Sequence, residues 1–220
     1  MISNNTDIEI IKTTDSRINQ FDPQNIQFGK LYSDHMLIAH YENGAWGKAT
    51  IEPFRNLSMH PATTFIHYGQ SIFEGIKAYK NEQGEALIFR PQDNWKRFNV
   101  SAERMGMPSV PEHLFMEGLK KLIALDSNWI PSEDGTSLYI RPFMFATEVG
   151  LGVRPSNKAL YMLIATPAGA YFDPSKAVSV WISTEYVRAA QGGTGEAKCG
   201  GNYAASLVAQ KAAAKEGCDQ

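Results

Sequence analysis

Cysteine is nearly absent from this chain of 220 residues: there are 2, Cys199 and Cys218. Their spacing fits no zinc pattern, and two thiols do not make a disulfide framework, so a reduced, cytoplasmic setting is expected. Neither sign of charge is in excess. The formal net charge is −2, which gives no electrostatic case for nucleic acid or acidic membrane surfaces. Long apolar runs are missing as well. Tracts such as residues 159–165 are far too short to span a bilayer. The first residues, 1–7, are polar, with no basic stretch leading into an apolar core, so they do not read as a secretory signal. The 5 histidines (His35, His40, His60, His67, His113) are scattered without metal-ligand spacing. Surface or structural roles are expected of them, and no metal. No internal repeat or low-complexity tract occurs. The glycines of residues 148–155 do not complete a GxGxxG fingerprint, so no nucleotide site is read there.

What is present is ordinary for a globular protein: 43% hydrophobic and 20% charged residues, enough for a sizeable core. The first thirty residues are polar and weakly patterned and are expected to drape over a surface. Residues 36–41 and 48–54 flank the turn signal Glu42-Asn43-Gly44, and residues 76–79 and 86–89 flank Asn81-Glu82-Gln83-Gly84. Both read as hairpins. Residues 91–105 read as a helix, with Pro91 in the first turn and Trp95, Phe98, Ala102 and Met105 on one stripe. Residues 111–125 read as a second helix. Strands are expected at 137–147, 159–166 and 177–183, with a Pro- and Gly-bearing loop at 167–174 before the last. The alanine-rich run 204–216 favours helix. Mixed hairpins and helices make the fold class α+β. A second domain starting near residue 175 would have only about 45 residues, marginal for its own core. Either that region packs on the first domain, or the sequence is a fragment of a longer protein.

Lys198 lies in the run Gly195-Glu196-Ala197-Lys198-Cys199-Gly200-Gly201-Asn202-Tyr203. A lysine among small residues can be approached closely by a ligand, and desolvation lowers its pKa and frees the amine as a nucleophile. That suits a Schiff-base lysine. Alone, it reads more readily as an exposed lysine in a glycine-rich loop. If Gly200 and Gly201 turn tightly, the Tyr203 phenol returns to the same pocket and can bond an anionic oxygen. Strand period puts Tyr139 and Arg141 on one face and Leu138 and Ile140 on the other. Such a pair can line a pocket for an acidic group. Arg97, early in the expected helix, has a planar fork suited to phosphate. Residues 67–75, with Tyr68 and Phe73, mix aromatic, small and polar types as a pocket wall does. Each segment taken singly also fits an ordinary surface or core role.

Their order carries more than any one of them. His67-Tyr68-Gly69, Phe73-Glu74-Gly75, Arg97, Tyr139-Ile140-Arg141-Pro142, Gly169-Ala170-Tyr171 and Lys198-Cys199-Gly200-Gly201-Asn202-Tyr203 follow one another. This succession resembles the branched-chain-amino-acid aminotransferases of the fold-type IV pyridoxal-phosphate family, over roughly residues 25–220. The resemblance implies a small N-terminal α/β domain over residues 1–166, an interdomain loop over 167–176, and over 177–220 the incomplete start of a larger cofactor-binding domain. It implies pyridoxal 5'-phosphate bound to Lys198, with Arg97 on the phosphate and Tyr203 on the cofactor's phenolic oxygen. Tyr68, Phe73, Tyr139 and Tyr171 would wall the substrate pocket, and Arg141 would place the distal carboxylate of glutamate. Leu151 and Val153 would lie on a loop reaching the partner subunit of a homodimer. The implied reaction transfers amino groups between leucine, isoleucine or valine and 2-oxoglutarate. D-amino-acid aminotransferase, aminodeoxychorismate lyase and a non-catalytic fragment are the competing readings. Members of the family continue well past the position of Gln220, so an N-terminal portion of the enzyme is expected.

Overall fold

The structure is a computed structural model that describes residues 7–172 and 175–220. In chain order its elements are β1 (Glu9–Ile10), β2 (His35–Glu42), β3 (Ala45–Trp46), β4 (Thr50–Pro53), α1 (Thr64–Tyr68), β5 (Ser71–Phe73), β6 (Ile76–Lys80), β7 (Ala86–Ile88), α2 (Pro91–Arg104), α3 (Glu112–Leu125), β8 (Ser137–Ala146), β9 (Ala159–Ala168), α4 (Gly200–Ala205) and α5 (Leu207–Lys215). The strands form one sheet in the order β1-β4-β2-β9-β8-β6-β7, with β3 on β2 and β5 on β8. Its spine is the antiparallel β8–β9 hairpin, in register from Ser137 opposite Ala168 to Ala146 opposite Ala159.

Alternation along these strands decides what each face meets. Leu37, Ala39, Leu138, Ile140 and Leu163 turn to the face covered by α2 and α3, where Phe98, Phe115 and Leu119 are fully buried. Met36, Ile38, Phe145, Leu160 and Met162 form a second, smaller cluster with Phe65 and Phe143 packed against it. On β8 the residues between the buried ones, Tyr139, Arg141 and Phe143, are half-buried, so that face is open to a site. The expected side-pairing of Tyr139 with Arg141 therefore holds.

β8 pairs with β6 at one end, Leu138 to Ile140, and with β5 at the other, Phe143 to Phe145. The break falls opposite Pro142, which has no N–H to offer a partner strand. Its carbonyl still accepts the Glu74 N–H at 2.7 Å. The register does not shift across the break, and Glu74 continues the buried alternation of Ile72 and Ile76.

The polar N-terminal segment is tied down by two buried acids. Asp34 accepts from the Ser16 hydroxyl (2.5 Å), the Arg17 N–H (2.7 Å) and the Trp129 indole (3.0 Å). Burial opposes its charge, but these donors and the Arg17 guanidinium outweigh burial and hold the carboxyl below its usual range. Asp126 meets His35 Nδ1 at 2.6 Å, while His35 Nε2 accepts the Thr13 N–H at 2.9 Å. An accepting Nε2 requires the proton on Nδ1.

Three expectations change. Residues 177–183 form no strand. Among the described residues their backbone finds no neighbouring strand, and it meets the chain's own tail: Ser179 bonds Asp219, and Trp181 N–H reaches the Gln220 carbonyl at 2.6 Å. Val180 and Ile182 are 67% and 82% exposed, so the apolar alternation has nothing to pack on. The alanine-rich helix begins earlier than residue 204 and is broken at Ser206 into α4 and α5. Gly200 and Gly201 thus open a helix instead of making a tight turn. Finally, β9 runs to Ala168, beyond the boundary expected at residue 166, because its last residues still pair with β8. Of the expected loop 167–176, residues 173–174 lie outside the described residues, as do 1–6 of the N-terminal segment. No helix among the described residues is long and apolar enough to cross a membrane.

Candidate active site

Lys198 is anchored through its backbone from two sides. Its N–H donates to the Ser101 hydroxyl on α2 at 2.9 Å. Its carbonyl accepts from the Phe73 N–H at 3.0 Å, and Ile72 bridges Cys199 beside it. Ser101 and Cys199 are buried, so these ties are shielded from competing water. Gly200 fits because a Cβ there would stand 2.8 Å from the Ser71 hydroxyl.

The side chain of Lys198 then projects into a cluster. Its Nζ donates to the Tyr203 hydroxyl at 2.8 Å and stands 4.6 Å from the Phe73 ring centre and 5.2 Å from that of Tyr203. The Phe73 and Tyr203 rings are 4.8 Å apart. α4 carries Tyr203 back to the lysine, and its orientation is set by Asn202, 3% exposed. Asn202 Nδ2 donates to the Thr194 and Ala197 carbonyls, and its Oδ1 accepts from the Thr194 hydroxyl, each at 2.7 Å.

Arg141 also meets Phe73, its guanidinium carbon 4.5 Å from the ring centre. It donates to the Tyr139 hydroxyl from Nη2 at 3.0 Å. The Tyr139 phenol crosses Gly75 so closely that a Cβ there would be 2.3 Å from its oxygen; only glycine leaves that room. A cavity of about 370 Å³ opens here, lined by Phe73, Arg141, Leu57, Phe65, Phe143 and Ile164 among others. Its walls are apolar apart from the arginine and Ser71, the mixture a small-molecule site needs.

Arg97 comes from α2 and meets Glu74, which is fully buried. Nε donates to Oε1 at 2.6 Å and Nη2 to Oε2 at 2.8 Å. Asn94, one helical turn before Arg97, donates to Oε2 at 2.9 Å. The Glu74 bond raises the Arg97 pKa further; burial opposes it, and the Glu74 and Tyr203 charges add to the rise. Arg188 stands 5.8 Å from the Tyr203 ring centre. Cations therefore outnumber the one buried carboxylate around Phe73 and Tyr203, a field that favours anionic ligands.

The structure thus brings together Lys198, Tyr203, Phe73, Arg141 and Tyr139, with Arg97 alongside. Tyr68 instead donates to the Leu151 carbonyl and so supports the loop carrying Leu151 and Val153, which are 65% and 82% exposed. Tyr171 is 78% exposed and packs edge-on against Phe172. Among the described residues no hydrogen bond or ring contact joins Tyr68 or Tyr171 to Lys198. Three residues escaped the sequence reading: Glu74, Ser101 and Asn202. Glu74 left a signal, since an acid set between Ile72-Phe73 and Gly75-Ile76 is rarely buried without a partner.

Residues 71–220 match the family described as amino-transferase class IV. The branched-chain-amino-acid aminotransferase of Mycolicibacterium smegmatis is 54% identical over 196 residues, 88% of this chain and 53% of that protein. The branched-chain-amino-acid transaminase 1 of Bacillus subtilis is 46% identical over 202 residues, 90% of this chain and 57% of that protein. The chain spans about half the length of the curated relatives it matches. The crystal structure of the T.th. branched-chain amino acid aminotransferase with pyridoxamine 5'-phosphate superposes with a TM-score of 0.63 at 32% identity, covering 82% of this chain and 57% of that one. A lysine held against a phenol, beside an arginine and an apolar pocket, thus occurs in a chain whose fold and sequence agree on one lineage: it belongs to the class IV aminotransferase family.

Proposed function

We propose that this chain carries the lysine-bearing part of a pyridoxal-phosphate-dependent branched-chain-amino-acid transaminase. The enzyme would exchange amino groups between leucine, isoleucine or valine and 2-oxoglutarate, giving branched-chain 2-oxo acids and L-glutamate. The observation that carries this reading is the Lys198–Tyr203 contact at 2.8 Å beside a pocket walled by Phe73 and closed by Arg141. The relatives' names point the same way.

The residues present fit pyridoxal 5'-phosphate. An amine is what its aldehyde requires, and the Tyr203 phenol at the amine suits its ring oxygen. Arg97 uses two of its five N–H donors on Glu74, which leaves the others for a phosphate. When bound, the cofactor would supply an electron sink for the pair released as the substrate α-proton leaves. Lys198 Nζ would hold the cofactor and then, freed, take and return that proton as a general base. Tyr203 would keep Nζ directed through the shared hydrogen bond. Phe73 and its apolar neighbours would bury a leucine side chain and exclude water. Arg141, parked on Phe73 and Tyr139, would meet the distal carboxylate of glutamate. Tyr68 and Tyr171 would complete the walls.

On this reading residues 1–166 are the small domain, 167–176 the interdomain loop and 177–220 the start of the larger domain. The enzyme would be a homodimer, supported by the exposed Leu151 and Val153 loop, and cytoplasmic, supported by the unpaired Cys199 and Cys218. A substrate screen with L-leucine and D-alanine, each paired with 2-oxoglutarate, tests the assignment. L-leucine is the expected substrate, and turnover of D-alanine alone would replace the reading with a D-amino-acid enzyme. Borohydride reduction should fix the cofactor on Lys198, and Lys198→Ala should abolish both labelling and transamination; retained activity would sink the mechanism.

A further inference from the structure

The site holds one fully buried acid, Glu74, and neither substrate binding nor proton transfer gives it a task. Its surroundings do. Both carboxylate oxygens are engaged by Arg97, and one also takes the Asn94 amide and the Gly75 N–H, at 2.9 and 3.2 Å. The backbone on either side is pinned too, by the Pro142 carbonyl on the Glu74 N–H and by the Tyr139 phenol lying on Gly75. The carboxylate therefore cannot turn. Arg97 is different: its side chain is 57% exposed, and its stem has several free rotations that solvent would otherwise populate.

We propose that Glu74 is a positioning residue for the anion site: it fixes the plane of the Arg97 guanidinium so that the edge facing away from Glu74 meets the phosphate of the cofactor. This rests on the reading of Arg97 given under the proposed function. The two-bond fork between Nε, Nη2 and the carboxylate sets both the tilt and the rotation of the planar group. What remains outward is a ready pair of donors on the Nη1 side. A lone arginine would have to be ordered by the ligand, at the ligand's expense in affinity. A negative charge beside a phosphate site acts against binding if charge alone matters, so the positioning role and a purely electrostatic role differ in sign.

The test compares dissociation constants of the apo-protein for pyridoxal 5'-phosphate and for pyridoxal, followed by absorbance. The ratio of the two reads the phosphate contact and is blind to changes that weaken both ligands alike. Positioning predicts that Glu74→Gln, which keeps the size of the side chain, lowers the preference for the phosphorylated ligand about tenfold. In an Arg97→Lys background, where no fork exists to be oriented, Glu74→Gln should lower it no further. A rise in preference would show that charge alone operates, and an unchanged ratio with both ligands weakened would show a structural role; either overturns the proposal. Melting curves check that each variant folds. Should Glu74→Gln not fold, Asn94→Ala loosens the carboxylate while keeping both Arg97 bonds, and a smaller fall in the same direction is required. If Arg97→Lys itself leaves the ratio at the parent value, Arg97 is not the phosphate contact and the functional assignment of that residue fails, a result separable from failure of Glu74 alone.

Discussion

Replacing Asn202 by alanine removes the tie that holds the residue 194–197 segment against α4, just before Lys198. Three hydrogen bonds disappear at once: two to carbonyls of Thr194 and Ala197 and one from the Thr194 hydroxyl. Ala197 is 2% exposed, so water does not readily replace the lost donor there, and an unpaired buried carbonyl costs about 1–3 kcal/mol. The Thr194 groups are half-buried and contribute about 0.5 kcal/mol each, near the lower bound for a net bond. The total is about 3 kcal/mol. For a chain of this length each kcal/mol lowers the melting temperature by about 2–4 °C, so a fall of about 6–12 °C is expected, read by circular dichroism. Asn202→Asp sharpens the test. It keeps the acceptor for Thr194 but sets a carboxylate against two carbonyl oxygens, so at neutral pH it should melt at least as low as the alanine variant. Acidification restores one O–H donor, and the aspartate deficit should shrink while the alanine deficit does not. An alanine variant melting within about 2 °C of the parent, or an aspartate variant indistinguishable from it at neutral pH, would refute the reasoning.

Phe73→Ala should reduce kcat/KM for leucine about tenfold, a typical loss of apolar contact, with a smaller effect on glutamate; equal losses would remove Phe73 from the side-chain pocket. Tyr161→Phe should leave the melting temperature unchanged or raise it, because the buried Tyr161 hydroxyl has no partner among the described residues and burial pushes its pKa well up. A clear fall would show that the hydroxyl is satisfied. Asp34 should make stability acid-sensitive. Its folded-state pKa is depressed, so its contribution is complete above the unfolded value of about 3.9 and is lost as pH falls through the folded value. Urea titrations of Asp34→Asn should show a deficit at neutral pH that closes in acid, and a deficit independent of pH would refute the assignment.

Local patterns were legible where local physics suffices. Pro91 at the first helical position and the stripe through Phe98 and Ala102 define α2 to within a residue of its observed end at Arg104. The alternation through Leu138, Ile140, Tyr139 and Arg141 gives both the strand and its two faces. The failure at residues 177–183 has the opposite cause. Val178, Val180 and Ile182 alternate as a strand should, yet a strand exists only when another backbone answers its N–H and C=O groups. Nothing within the segment reports whether such a partner is at hand. The start of α4 at Gly200 is a similar case: glycine argues against helix by propensity, and it is Asn202, fastened to Thr194 and Ala197, that outweighs it.

The candidate site divides along the same line. Lys198, Tyr203, Arg97 and Arg141 are residue types whose chemistry is visible in isolation, and their succession is informative. Glu74, Ser101 and Asn202 act only through what they touch, and those contacts span separations of 23 residues for Glu74 and Arg97 and 97 for Ser101 and Lys198. Phe73-Glu74-Gly75 shows why the second kind is hard to read. Three neighbours serve three different purposes: a ring beneath Lys198 and Arg141, a buried acid on Arg97, and an absent Cβ beneath Tyr139. An unbroken strand would send Phe73 and Gly75 to one face and Glu74 to the other. That is the division observed: Glu74 follows Ile72 and Ile76 to the buried side and meets α2, while Phe73 and Gly75 share the face of Tyr139 and Arg141. Strand period supplies the face of the acid; what it could not supply is the arginine that answers the charge, 23 residues away on α2.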